Sequence, residues 1–130
     1  MRRKNVKPQI IEKVGFDFNW SEKKVWKLKI PESSMPIKSL EWHFDIPFWD
    51  KQDGCYDLTP KQVLAKPMLY SAEYRRIMHA DLRHPIDVMR NKRRWLILDG
   101  LHRLVKAKTL GMSYVKVRKI PRSAIPKILV

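Results

Sequence analysis

The chain has 130 residues, 44% of them hydrophobic, which supports one core but not two ordinary domains, and its single cysteine, Cys55, excludes an internal disulfide and any cysteine-cluster metal site. No apolar run approaches the roughly 18 residues of a membrane span, and Met1-Arg2-Arg3-Lys4-Asn5 is not followed by the apolar stretch of a secretory signal, so a soluble cytoplasmic protein with no membrane partner is expected. Lys and Arg number 28 against 13 Asp and Glu, a formal net charge of +15, which points to an anionic partner or to a solubilising basic surface.

Residues 1–20 are basic with little periodicity and read as a mobile arm that orders on a partner. Val25-Trp26-Lys27-Leu28-Lys29-Ile30 alternates apolar with basic, the period of a strand buried on one face. The chain breaks over residues 31–36, and residues 37–42 read as a second short strand or a turn. Trp42-His43-Phe44-Asp45-Ile46-Pro47-Phe48-Trp49 is the aromatic peak, expected as an ordered loop because Pro47 argues against a central strand. Thr59 before Pro60 caps a helix that stops at Pro67, and a second helix is expected over residues 71–80. Residues 86–89 read as a strand, Asn91-Lys92 as a hairpin turn, and Trp95-Leu96-Ile97-Leu98 as a central strand. Leu101, Leu104, Val105 and Leu110 share one helical face that Gly111 closes, and residues 114–118 alternate as a last strand. The reading is a small α/β domain over residues 21–121 with a mixed sheet, an arm over 1–20 and a basic tail over 122–130.

The charge is uneven along this order. Residues 1–30 hold nine basic and three acidic side chains, residues 31–89 seven and nine, and residues 90–130 twelve and one. Two basic ends around a near-neutral middle suit nucleic acid ahead of nucleotide or acidic protein.

The most specific segment is Ile97-Leu98-Asp99-Gly100-Leu101-His102-Arg103. A strand that passes through Asp-Gly directly into a helix leaves amides unpaired at a positive helix end, which is a generic anion site. Gly100 admits close approach of a phosphate, and Arg103 and His102 offer donors from the first turn. Asp99 either caps the helix or joins the site. With Leu82-Arg83-His84-Pro85-Ile86-Asp87-Val88 before it and Leu110-Gly111 after it, this stretch resembles the ParB/sulfiredoxin superfamily. The Asp-Gly-x-His-Arg variant is similar to ParB-like free serine kinases.

The resemblance, strongest over residues 82–111, implies that Gly100, His102 and Arg103 contact the phosphates of a nucleoside triphosphate, ATP or CTP, with Mg²⁺, and Asp99 and Leu101 complete the expected cofactor-binding turn. Leu101 stands where sulfiredoxin has its reactive cysteine, which rules against sulfinic-acid reductase chemistry. Phosphoryl transfer needs a carboxylate near the acceptor, and the family places one in the loop after its first strand. Glu41 and Asp45 are the catalytic candidates there, with Asp50 and Asp53 further on. The expected function is nucleotide binding with NTPase or small-molecule phosphotransferase activity. The alternative is a non-catalytic nucleic-acid-binding module that uses the basic ends. A metal-dependent nuclease would need a carboxylate cluster, and the sequence offers no convincing one.

Overall fold

The computed structural model describes residues 8–51 and 56–130. Within them lie a four-stranded mixed sheet and six α-helices: α1 (Gln9–Lys13), α2 (Glu22–Trp26), β1 (Glu32–Pro36), α3 (Pro60–Ala65), α4 (Ser71–His79), β2 (Ile86–Asn91), β3 (Arg94–Asp99), α5 (Leu101–Thr109), β4 (Tyr114–Ile120) and α6 (Ile125–Ile128). The strand order is β1-β4-β2-β3. The pairs β1–β4 and β2–β3 are antiparallel, whereas β2 and β4 are parallel and joined through β3 and α5.

The strand period sorts side chains to two faces. Val88, Ile97, Val115 and Val117 pack under Leu104 and Ala107 of α5, while Met89, Leu98 and Ile120 on the other face pack against Val25 of α2 and Ile128 of α6. Outside α5, Val63 of α3, Ile77 of α4, Trp49 and Leu58 form a further apolar cluster that includes Val105 of α5. Among the described residues no helix is long and apolar enough to cross a membrane.

Several expectations hold in detail. Thr59 accepts from the Gln62 amide and Gln62 returns a bond to the Thr59 amide, a reciprocal cap that starts α3. β2, β3, α5 and β4 fall where the apolar patterns put them. The hairpin turn sits one residue later than expected, at Lys92 and Arg93, whose φ values of 47° and 67° are those of a type I′ turn. Asn91 is instead a buried strand residue whose amide donates to Gly15 O at 2.7 Å and Asp17 Oδ1 at 3.1 Å.

Three expectations are corrected. The arm boundary at residue 20 fails for residues 8–20, because Ile11 and Phe16 are buried against Leu96; residues 1–7 lie outside the described residues. The tail over 122–130 is also part of the fold. Ser21 N donates to Ile128 O at 2.7 Å, Val130 N to Asn19 O at 3.2 Å, and Ile128 is fully buried, so the two ends of the domain clasp. The strand expected over residues 25–30 is α2 and the turn after it. Ser21 caps the helix by accepting from Lys24 N, and the three-residue step from Val25 to Leu28 buries one face. The strand that does form nearby, β1, buries only Met35 and pairs through its backbone with β4, so it carries no apolar alternation.

Candidate functional site

β3 ends at Asp99 and α5 starts at Leu101, with Gly100 between them at φ 114°. A side chain at Gly100 would be strained twice, by that φ and by Ile86, whose atoms would lie 3.1–3.2 Å from an added Cβ. Leu104 N donates to Gly100 O at 3.1 Å to open the helix, and Gly100 has no side chain with which to cap it. Among the described residues nothing caps the first amides of α5, which leaves them to solvent or a ligand. They border a cleft of about 780 Å³ whose walls include Trp20, Phe48, Trp49 and Tyr56, and whose floor includes Glu22 and Asp99.

Asp99 does not cap α5; it joins elements. Its Oδ2 accepts from Trp26 Nε1 at 2.7 Å and from Arg103 Nη2 at 3.0 Å, and it accepts a hydrogen bond from Glu22. That shared hydrogen bond, followed by burial and the Asp99 charge, pushes Glu22 from 4.5 up to about 7. Burial opposes ionisation of Asp99, but the bonds from Glu22 and Trp26 and the Arg103 charge together hold it below the ordinary range. The pair thus carries one proton near neutrality, and Glu22 holds it.

Arg103 turns inward. Besides Asp99 it donates to Pro85 O, and its side chain is only 18% exposed. This cation braces the strand end and helix start. Behind it, Arg118 Nε meets Asp87 Oδ1 at 2.6 Å and its Nη atoms donate to Leu28 O and Val25 O at the end of α2. Burial raises the Asp87 pKa, with the Arg118 bond opposing the shift. Glu22, Asp87, Asp99, Arg103 and Arg118 make one charge network beneath the cleft.

His102 lies on the cleft wall, its Nε2 3.0 Å from Glu73 Oε2 and its ring stacked on Trp49 at 4.5 Å. Leu101 packs against the core and also borders the cleft. His43 closes the inner end. Its Nδ1 lies 2.7 Å from Leu40 O and its Nε2 3.1 Å from Ile97 N, which fixes Nδ1 as the donor and Nε2 as the acceptor. Burial holds this ring neutral, with a pKa of about 3. Together with the Trp20 indole, which donates to Leu98 O at 2.9 Å, His43 satisfies the free edge of β3.

Comparison of the chain with protein-family models, curated proteins and solved structures finds no match. The function must be read from the residues themselves.

Of the residues singled out in the sequence, Asp99, Gly100, Leu101, His102 and Arg103 come together at the cleft. Glu41 and Asp45 do not. Glu41 pairs with Lys108 Nζ at 2.7 Å and Asp45 with Lys61 at 3.6 Å, near the far end of α5. Lys108 is seven residues beyond Leu101, roughly 10 Å along the helix axis. The reason is local: the 3-10 turns Ile37–Ser39 and Glu41–Asp45 carry the chain along α5, not back over the strand ends. Asp53 lies outside the described residues. Two carboxylates from elsewhere in the chain do reach the helix start, Glu22 at Asp99 and Glu73 at His102, and sequence reasoning missed both; the only signal for Glu22 was an acid directly after the capping Ser21.

Proposed function

We propose that this chain is a ParB/sulfiredoxin-like nucleotide-binding domain that holds a nucleoside triphosphate, ATP or CTP, at the Gly100 helix start. The reading is carried by the juxtaposition of an uncapped helix N-terminus with the Glu22–Asp99 carboxyl pair on one aromatic-walled cleft. The terminal phosphates go to the first amides of α5, and the base finds apolar wall at Trp20 or Tyr56. Arg103 acts by bracing Asp99 and the helix start.

The two carboxyl groups fit Mg²⁺, an ion that takes one or two protein carboxylates and fills its shell with phosphate oxygens and water. Glu22 and Asp99 would hold it, and it would supply charge neutralisation at the phosphates. Without the ion, Glu22, once it loses its own proton as pH rises through about 7, is the group placed to accept a proton from water or a hydroxyl acceptor beside the terminal phosphate. NTP hydrolysis or phosphate transfer to a small molecule is the matching activity.

Calorimetric titration of wild type with ATP and CTP, with and without Mg²⁺, at pH 6 and pH 8 tests this. Metal-assisted binding must displace the Glu22 proton, so it should strengthen as pH rises through about 7. Glu22→Gln should lose the Mg²⁺-dependent gain and the turnover in a phosphate-release assay with water or free serine as acceptor. Absence of binding by either nucleotide under all four conditions would remove the reading.

A further inference from the structure

The opposite end of the same strands carries a second feature, independent of the cleft. Arg90 and Trp95 are cross-strand partners in the β2–β3 hairpin, and Lys119 pairs with Val88 one step along the parallel β2–β4 ladder. Residues 88, 90, 95, 97, 117 and 119 alternate onto one sheet face. Val88, Ile97 and Val117 of this set lie under α5, whereas Arg90 and Lys119 are exposed past its cover and Trp95 is half-buried between them. The Arg90 guanidinium is 5.8 Å and the Lys119 ammonium 5.5 Å from the Trp95 ring centroid. At the start of β3, Arg94 lies 5.1 Å from the Trp42 ring.

Among the described residues Arg90, Arg93, Arg94 and Lys119 form no ion pair; the one carboxylate paired at this end is Asp17, 3.3 Å from Lys92. A globular surface normally intersperses the two signs of charge. Here, among the described residues, two exposed cations without counter-charges flank an indole at the uncovered end of a sheet.

We propose that this face binds single-stranded nucleic acid, with an unpaired base stacked on Trp95 and the flanking phosphates on Arg90 and Lys119. Charge complementarity selects a polyanion, and the indole selects one with exposed flat bases. A surface cation over an aromatic ring stabilises less than a stacked base does, so a base displaces one cation from the ring and that cation meets the neighbouring phosphate. A duplex hides its base faces and gains only the phosphate contacts.

The test is fluorescence anisotropy of labelled oligothymidylate, oligouridylate and a mixed-sequence duplex, each longer than the roughly 4–16 nucleotides such sites cover, titrated with the full chain at several salt concentrations. Either single strand should bind more tightly than the duplex, and the tighter of the two tells DNA from RNA. Arg90→Gln with Lys119→Gln should reduce the slope of log K against log salt by about 1.4, since each lost single-strand phosphate contact removes about 0.7. Trp95→Ala should weaken binding by about tenfold, within the range of one lost stack, and Trp95→Phe should restore most of it. Arg75→Gln, on the exposed side of α4, should change nothing. Equal affinity for duplex and single strand, an unchanged salt slope in the double variant, or a Trp95→Phe protein that folds as wild type but binds no better than Trp95→Ala would each overturn the proposal.

Discussion

β3 begins in the hairpin at Arg94 and ends in the cleft at Asp99, about 17 Å away at the usual strand rise, and the two ends use cations in opposite ways. At the cleft end Arg103 and Arg118 are 18% and 12% exposed, each paired with a carboxylate and each donating to backbone carbonyls of a neighbouring segment. At the hairpin end Arg90 and Lys119 lie beside an indole with no carboxylate partner among the described residues. A buried cation has been desolvated, and the bonds that offset that cost fix the geometry around it. An exposed one keeps most of its hydration and its availability to an outside anion. Residue type does not distinguish the two; position along the strand does for Arg103 and Arg90, and sheet face does for the adjacent Arg118 and Lys119.

Breaking the buried side should have the largest effect. Arg118→Met leaves Asp87, 3% exposed, without its cation and frees two carbonyls at the end of α2. The expected loss is about 3–5 kcal/mol, read from urea denaturation, and adding Asp87→Leu should recover much of it by removing the stranded charge. Arg90→Gln should stay within about 0.5 kcal/mol of wild type. Similar losses for Arg118→Met and Arg90→Gln would erase the contrast.

The dependence on pH sharpens the cleft end. His43 has its pKa lowered from 6.5 to about 3 by burial, so between those values the unfolded chain binds the proton and the native state does not. Stability contributed by this ring is complete above 6.5 and falls as pH drops, by about 1.4 kcal/mol per pH unit. Glu22 is raised from 4.5 to about 7 and has the opposite sign: the native state holds the extra proton, and its contribution is lost as pH rises through 7. Glu22 is largely solvent-screened, so its effect is the smaller. Between pH 4.5 and 6.5 the two oppose each other, and Glu22→Gln should steepen the rise of stability with pH. A flatter curve in the variant would show that Glu22 does not carry the proton.

What was legible in the sequence follows from how each segment is stabilised. β2, β3, α5 and β4 bury apolar faces with their own periods, and α3 is marked by Thr59 and Pro60, so local pattern suffices. β1 is held by backbone pairing to β4, and residues 8–20 and 122–130 by a clasp between chain ends more than 100 residues apart, as in the bond from Lys24 Nζ to Leu129 O. No local period records such contacts. At the candidate site the Asp99 to Arg103 cluster was readable because strand end and helix start are contiguous in sequence. Glu22 was not, because α2 reaches Asp99 through Trp26 and the shared proton, across more than 70 residues. Arg103 was found as a residue, but its inward pairing depends on the Pro85 carbonyl and could not be read from its place in the first turn.

The smallest expected effect concerns the hairpin tip, where function and backbone preference conflict. Lys92 and Arg93 both take positive φ, which suits Asn-Gly and strains side chains bearing a Cβ. Arg93 is exposed and forms no ion pair among the described residues, so removing its side chain costs no folded-state contact of that kind. Arg93→Gly relieves the left-handed strain, worth about 1–2 kcal/mol, against about 0.5–1 kcal/mol of added unfolded-state entropy, and should stabilise the protein by about 0.5 kcal/mol in urea denaturation. The same variant should bind single-stranded nucleic acid more weakly and with a shallower salt dependence, because it removes an exposed cation from the hairpin that carries Arg90 and Trp95. Gain of stability with loss of affinity is the result expected of a residue kept for a partner. A loss of stability would mean that the Arg93 side chain serves the fold, as Arg103 and Arg118 do, and the two ends of β3 would no longer differ.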